Sequence, residues 1–300
     1  MTVGSIVGGG FRLIREHPGA VAVWGLLYLA ATFGMALLMR PVFGDSPGTS
    51  GDSALAAAAD LSPMLGVLLP LFQLLLLVLP FALLAASQRA VLEPDSPGFA
   101  YLRLGLDELR FVGLTLVLAV IFYVGLLVAM VAMTLVVATA AAVAGPAWAT
   151  PLAYVEVIGL VAAGLWLQVR LSLAFPLTLL RDRMAIGEAW WLSGRRFWTL
   201  LGAYVLIFLI LLALWTLAAL ATSWDYLAEM ARSGFAREAV EAAGERQMAK
   251  YLGEISASGV AGWIVTSAVS SLSIALLGGA VATAARELTD DFEAFGENFA

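Results

Sequence analysis

Long uncharged apolar runs alternate along this chain with short stretches in which apolar residues recur at helical spacing. Six runs are long enough to cross ~30 Å of hydrocarbon as a helix. They predict spans at about 19–39, 63–88, 111–144, 152–176, 197–222 and 259–285. No charge occurs between Arg110 and Glu156. The third run is therefore longer than a bilayer requires, and a tilted or protruding helix is expected. Arg40-Pro41 is expected to end the first span, because the residue before proline is biased out of the helix. Pro70, Pro80 and Pro176 fall inside spans, where proline kinks a helix unless neighbours satisfy the freed carbonyls.

The short amphipathic stretches predict helices lying in the membrane interface, at about 2–17, 97–110 and 184–196. In the first, Val3, Ile6, Val7, Gly10, Leu13 and Ile14 share a face opposite Arg12, Arg15 and Glu16, and Gly8-Gly9-Gly10 weaken the helix. The second has Ser96 as N-cap and Pro97 at the first helical position. Phe99, Leu102, Leu106 and Leu109 lie on one of its faces and Arg103, Asp107 and Arg110 on the other. In the third, Ile186, Ala189, Trp190 and Phe197 oppose Glu188 and Arg195. The segment 41–62 reads as an exposed loop. The segment 223–257 reads as a polar, helical region outside the membrane, with a Met248, Tyr251, Leu252, Ile255 stripe and an Arg237–Glu241 pair.

Composition agrees with this class. The chain is 62% hydrophobic and only 13% charged, with a mean hydropathy of +0.94. A soluble domain of this length needs far more surface charge. The expected fold is all-α: a polytopic membrane bundle of six transmembrane helices with cytoplasmic interfacial amphipathic helices, in one integral domain over 1–300. The first run has no signal-peptidase pattern close behind it and reads as an uncleaved span. Heavy use of Ala, Leu and Gly, with arginine almost replacing lysine, points to a GC-rich bacterial genome.

Charge matters here through its location. Arg12, Arg15, Arg89, Arg103, Arg110, Arg181, Arg183, Arg195, Arg196 and Arg286 flank the interfacial helices or follow the last span. Arg40, Arg232, Arg237, Arg246 and Lys250 lie in the other loops. The positive-inside rule then places both termini in the cytoplasm of a multi-pass protein of the bacterial inner membrane. The units 98–143 and 187–222 align at one offset: Ala100 with Ala189, Leu102 with Trp191, Gly105 with Gly194, and Gly113 with Gly202. The N-terminal helix and first span form a looser third copy. Common origin and convergence on one design both explain the pattern.

The run RLSLAFPLTLLRDRMAIGEAWWLSGRRFWTLLGAYVL, beginning at Arg170, carries a resemblance. An Arg-Leu-Ser-Leu-Ala-x-Pro segment ends a span, an amphipathic x-x-E-A-W-x-x-S helix follows, and a basic-aromatic entry opens the next span. This resembles the bacterial inner-membrane family called the glycerophosphoryl diester phosphodiesterase membrane domain, and related six-span families. The N-terminal F-R-L-I-R-E-H-P is similar too. The sharp part covers about 165–205. The resemblance implies a six-span membrane fold. It implies no hydrolase activity, because the chemistry of that family belongs to a separate barrel domain whose metal-binding acids and paired histidines have no counterparts here.

Few residues suggest chemistry. The chain has no cysteine and a single histidine, His17, so neither a thiolate site nor a zinc triad is expected. His17 reads as an interfacial residue. Asp107 and Glu108 are adjacent on a helix and point apart. Arg170 lies ~16 Å from Arg181 if the helix is continuous, or ~9 Å from a helix end at Pro176. It either snorkels, pairs structurally, or contacts an anionic lipid or ligand. Arg181, Arg183, Arg195 and Arg196, among Trp190, Trp191 and Trp198, form either a headgroup or partner site, or topology determinants with belt aromatics. Ser267, Ser271, Ala275, Gly279 and Thr283 form a small-residue seam for packing within the bundle or for a homo-oligomer. The expected role is non-enzymatic: an accessory, scaffold or lipid-interacting protein without cofactor, metal or nucleic-acid partner. The alternative is a transporter or lipid translocator with a polar site near Arg170.

Overall fold

The computed structural model describes residues 1–43, 63–95, 98–103, 106–181, 183–252 and 256–297. The described residues are helical throughout, apart from turns and one isolated bridge between Phe99 and Leu102. In chain order the α-helices are α1 (Val3–Glu16), α2 (Pro18–Phe43), α3 (Pro63–Leu92), α4 (Leu106–Ala144), α5 (Ala149–Leu171), α6 (Ala174–Arg181), α7 (Ile186–Arg195), α8 (Phe197–Thr222), α9 (Trp224–Arg232), α10 (Arg237–Leu252) and α11 (Ala257–Glu297). Six segments are long and apolar enough to span a membrane, with α5 and α6 making one between them. The chain is an all-α, multi-pass membrane protein.

The core is built on α11, which packs against α1, α2, α3 and α8, most extensively against α1. Its sequence explains this. A helix with small side chains on several faces lets several backbones approach at once. Added side-chain atoms at Gly279 would press on Gly10 and Leu13 of α1. At Gly278 they would collide with Ser87 of α3, and Ser271 fills the space beside Gly25 of α2. The seam of Ser267, Ser271, Ala275, Gly279 and Thr283 is buried within the chain, under α1 and α2. By contrast, no described residue of α4 beyond Leu114 is buried. The α4–α5 hairpin meets the bundle at its base, through α3, α6, α7 and α8.

Helix α1 carries the expected apolar face, with Ile6, Val7, Gly9, Gly10 and Leu13 buried. Thr2 caps it in a box with Ser5. Ser5 Oγ also donates to Glu287 at 2.9 Å, tying the start of α1 to the end of α11.

The interfacial helix expected over 97–110 is not formed in its first half. Residues 98–103 make a tight turn, with positive φ at Gly98 (42°), Ala100 (52°) and Tyr101 (60°). Ser96, Pro97, Leu104 and Gly105 lie outside the described residues, and helix resumes at Leu106, continuous with the span. Tertiary contacts decide the matter. Tyr101 is buried and its hydroxyl donates to the Pro94 carbonyl at 3.3 Å, beside His17. The wholly buried Trp24 donates from Nε1 to the Ala100 carbonyl at 3.1 Å. Phe99, expected on the apolar face, is 69% exposed. Ala100 sits in this turn while Ala189 is buried in a helix, so the units 98–143 and 187–222 are not equivalent at their starts. The looser copy fits better. His17 (φ −124°, ψ 52°) and Arg196 (φ −127°, ψ 32°) share one backbone conformation at the junction of a short helix with a span.

Other boundaries shift. Helix α2 runs past Arg40-Pro41 to Phe43, and α3 continues through Pro70 and Pro80. The helix of the fourth span breaks at Leu171, and the apolar segment continues as α6 past the expected end at 176 to Arg181. Pro176 causes this one turn upstream, because its ring displaces the carbonyl four residues back, that of Ser172. Pro176 itself sits in the first turn of α6, where no N–H is missed. Helix α11 extends through the acidic segment to Glu297. The expected loop over 41–62 lies, from 44 onward, outside the described residues. So do the side chains of Met248, Tyr251, Leu252 and Ile255, whereas Arg237 Nε reaches Glu241 at 2.8 Å.

Candidate functional site

The break at Ser172 lets the chain reverse. Helices α6 and α7 then form an antiparallel hairpin. At its tip Thr178 Oγ1 accepts the Ala185 N–H at 3.3 Å. Glu188 stands in the first turn of α7, where the helix dipole favours a carboxylate. Its Oε1 accepts from Arg181 Nε at 3.2 Å and Nη2 at 3.1 Å, and its Oε2 lies 3.8 Å from Arg183 Nη2. At the other end Ser193 Oγ donates to the Arg170 carbonyl at 2.8 Å. Tyr204 of α8 donates to Ser172 Oγ at 2.7 Å, which braces the break itself.

Arg170 is in the last turn of α5, where a cation complements the helix dipole. Its Nη1 donates to the Trp190 carbonyl at 3.0 Å. Its guanidinium carbon lies 5.5 Å from the Trp166 ring centre and 5.2 Å from that of Trp190, and the two indoles meet edge-to-face. Nε is buried without a hydrogen-bond partner. Any side chain at Gly194 would intrude on the guanidinium. Among the described residues no carboxylate pairs with Arg170. The residue clasps α7 to α5.

Arg181, Arg183 and Arg195 are brought around one pocket on the same hairpin. Arg181, Arg183, Glu188, Trp191 and Leu192 line an open pocket of about 360 Å³, with Phe292 of α11 on one side. Trp191 and Phe292 meet edge-to-face at 5.5 Å. Arg195 covers the Trp191 ring at 4.2 Å and is 6.0 Å from that of Phe292. Two guanidinium groups and one carboxylate leave the lining with one net positive charge. Arg195 and Arg196 are exposed, with no carboxylate partner among the described residues. Of the three tryptophans only Trp191, 49% exposed, lines the pocket; Trp190 packs on Trp166 and Arg170, and Trp198, 80% exposed, packs on Phe197. The arrangement fits a group with anionic oxygens and an apolar remainder. Arg170 does not line this pocket.

Sequence reasoning passed over the run Ser87-Gln88-Arg89 near the end of α3. All three are buried, at 0%, 1% and 3% exposure, and Gln88 Oε1 has no hydrogen-bond partner. The signal was a polar triplet interrupting an apolar run before the helix end. The participation of Phe292 had no signal, since it depends on where α11 emerges. Among the described residues, no His, Asp and Glu side chains are grouped to hold a metal ion.

No family model, curated protein or solved structure matches this chain. The resemblance described above rests on its motif residues alone.

Proposed function

We propose that this protein is a non-enzymatic, lipid-interacting accessory or scaffold protein of a bacterial inner membrane, with both termini in the cytoplasm. The observation that carries the reading is the arginine–tryptophan pocket between α6, α7 and the end of α11. It lies at the end of the bundle where α1, the 98–103 turn and the α6–α7 hairpin gather, and where the arginines concentrate. A guanidinium beside an indole at the membrane boundary suits a phosphate-bearing headgroup, because arginine offers a planar donor fork and tryptophan tolerates both water and lipid. Each basic residue near an anionic surface is worth about 1 kcal/mol. Arg181, Arg183 and Arg195 less Glu188 leave two positive charges around the pocket, offset in part by Asp290 and Asp291 beside Phe292, so the preference is ~1–2 kcal/mol, on the order of tenfold.

The test is the lipid retained by protein purified in mild detergent and exchanged into nanodiscs of mixed anionic and zwitterionic lipid. Wild type should retain anionic phospholipid in excess of the bulk ratio, and a variant with Arg183, Arg195 and Arg196 all changed to alanine should not. An identical lipid profile for the two proteins refutes the pocket as a headgroup site. The transporter reading draws less support from Arg170, which is engaged by Trp166, Trp190 and the α7 backbone.

A further inference from the structure

The region 223–257 begins with α9, a helix of nine residues with Asp225, Glu229 and Arg232 on one side and Trp224, Leu227, Ala228 and Ala231 on the other. Not one of its residues is buried. Its polar side is fixed to α10: Arg246 grips Glu229 through two bonds of 2.8 and 3.2 Å, and Gln247 holds Ser223 at 3.0 Å. Leu227, Ala231 and Trp224 lie on the side of α9 opposite Glu229, by the 100° step of the helix. Trp224 is 63% exposed. The turn that follows presents Phe235 at 67% exposure with a φ of 60°, in the left-handed region that bulky residues avoid. The Phe235 N–H to Met230 carbonyl bond of 3.1 Å holds it there.

Position supplies the occupant. Helix α9 starts at the residue after the cap of α8, so its first turn stands where a span leaves the hydrocarbon. The lipid-facing residues of α8, Leu217 at 65% and Leu220 at 40% exposure, lead directly to Trp224. Ser223 has φ −129° and ψ 26°, nearly the backbone conformation of Arg196, where α7 gives way to α8. An amphipathic helix in this place lies in the interface with its apolar side among acyl chains. We propose that α9 and the Phe235 turn form a lipid-embedded foot, in the leaflet opposite the arginine pocket, with Trp224, Leu227 and Phe235 as its anchors. The occupant of this face is the bilayer itself, while α10 covers the polar side of α9 and packs against α2.

The absence of cysteine makes the test direct. Single cysteines at Phe235, Ala231 and, as an aqueous control, Glu238 are labelled with an environment-sensitive fluorophore in the full chain. Each variant is reconstituted in nanodiscs containing lipids spin-labelled near the headgroup end of the acyl chain. Labels at 235 and 231 should be quenched by the spin-labelled lipid at least twofold more than the label at 238, and shielded from iodide. Iodide quenching at 235 and 231 equal to that at 238 overturns the proposal. Labels at 235 and 231 reached by neither quencher would mean that protein covers this face, and would overturn it too. Either site alone suffices if the other substitution prevents folding. The readout does not involve the arginine pocket, so it stands or falls apart from the proposed headgroup site.

Discussion

Three consecutive glycines in α1 should respond to alanine with opposite signs. A Cβ at Gly8 meets nothing within 4 Å. One at Gly9 runs into the Thr283 side chain, and one at Gly10 runs into the backbone carbonyl of Leu276. Replacing glycine by alanine inside a helix stabilises it by about 0.5–1 kcal/mol through lost backbone freedom in the unfolded chain. That gain is common to all three sites. At Gly10 it is opposed by overpacking against a carbonyl that cannot rotate away, which costs ~1–3 kcal/mol. Gly8→Ala should therefore gain ~0.5–1 kcal/mol, whereas Gly10→Ala should be neutral to ~2.5 kcal/mol less stable than wild type. The difference between the two variants isolates the overpacking cost, because propensity cancels. Gly9→Ala should fall on the destabilised side, since the Thr283 Cβ itself is in the way. The assay is denaturant-induced unfolding in mixed micelles, followed by tryptophan fluorescence, with wild type and the three variants under one condition. Equal stability of Gly8→Ala and Gly10→Ala would show that α1 does not cross α11 at these glycines, and the account of the core would fail with it.

Arg170→Leu removes a charged hydrogen bond to the Trp190 carbonyl and two cation–π contacts, so it should lower stability by ~1–3 kcal/mol. Arg170→Lys should fall between, because it keeps the charge without the planar fork; melting in detergent decides, and an unchanged Arg170→Leu would defeat the clasp. Trp24→Phe keeps most of the buried ring but leaves the Ala100 carbonyl without its donor, at a cost of ~1–3 kcal/mol. A melting temperature equal to wild type for Trp24→Phe would remove the reason given for the 98–103 turn. For the proposed topology, single cysteines at Glu238 and Gly187 in whole cells should differ, with the first reacting with an impermeant maleimide and the second not; the reverse pattern refutes it.

Six apolar runs were legible along the chain because a span must satisfy its own backbone and face hydrocarbon over most of its surface. Those requirements act locally, so span five was readable to the residue, as Phe197–Thr222. The α1 face was legible for the same reason, and its glycines were not. Sequence reads Gly8-Gly9-Gly10 as one helix-weakening run, yet α11 gives Gly10 a neighbour and Gly8 none. The seam of small residues on α11 was visible, but its occupants, α1 and α2, come from the far end of the chain. Local pattern misled at 98–103, where helical spacing was present and buried contacts of Trp24 and Tyr101 outweighed it. Arg170, Arg181 and Arg183 share a stretch of sequence that says nothing about which rings and acids they meet. The Pro176 break and the α6–α7 reversal bring Arg170 onto Trp190 and carry Arg181 and Arg183 to a pocket that Phe292 borders from more than a hundred residues away. Sequence determines which segments become helices, because helix bonds are local. Which charges meet which rings depends on how the helices cross, and that is settled by contacts between segments with no neighbourhood in the chain.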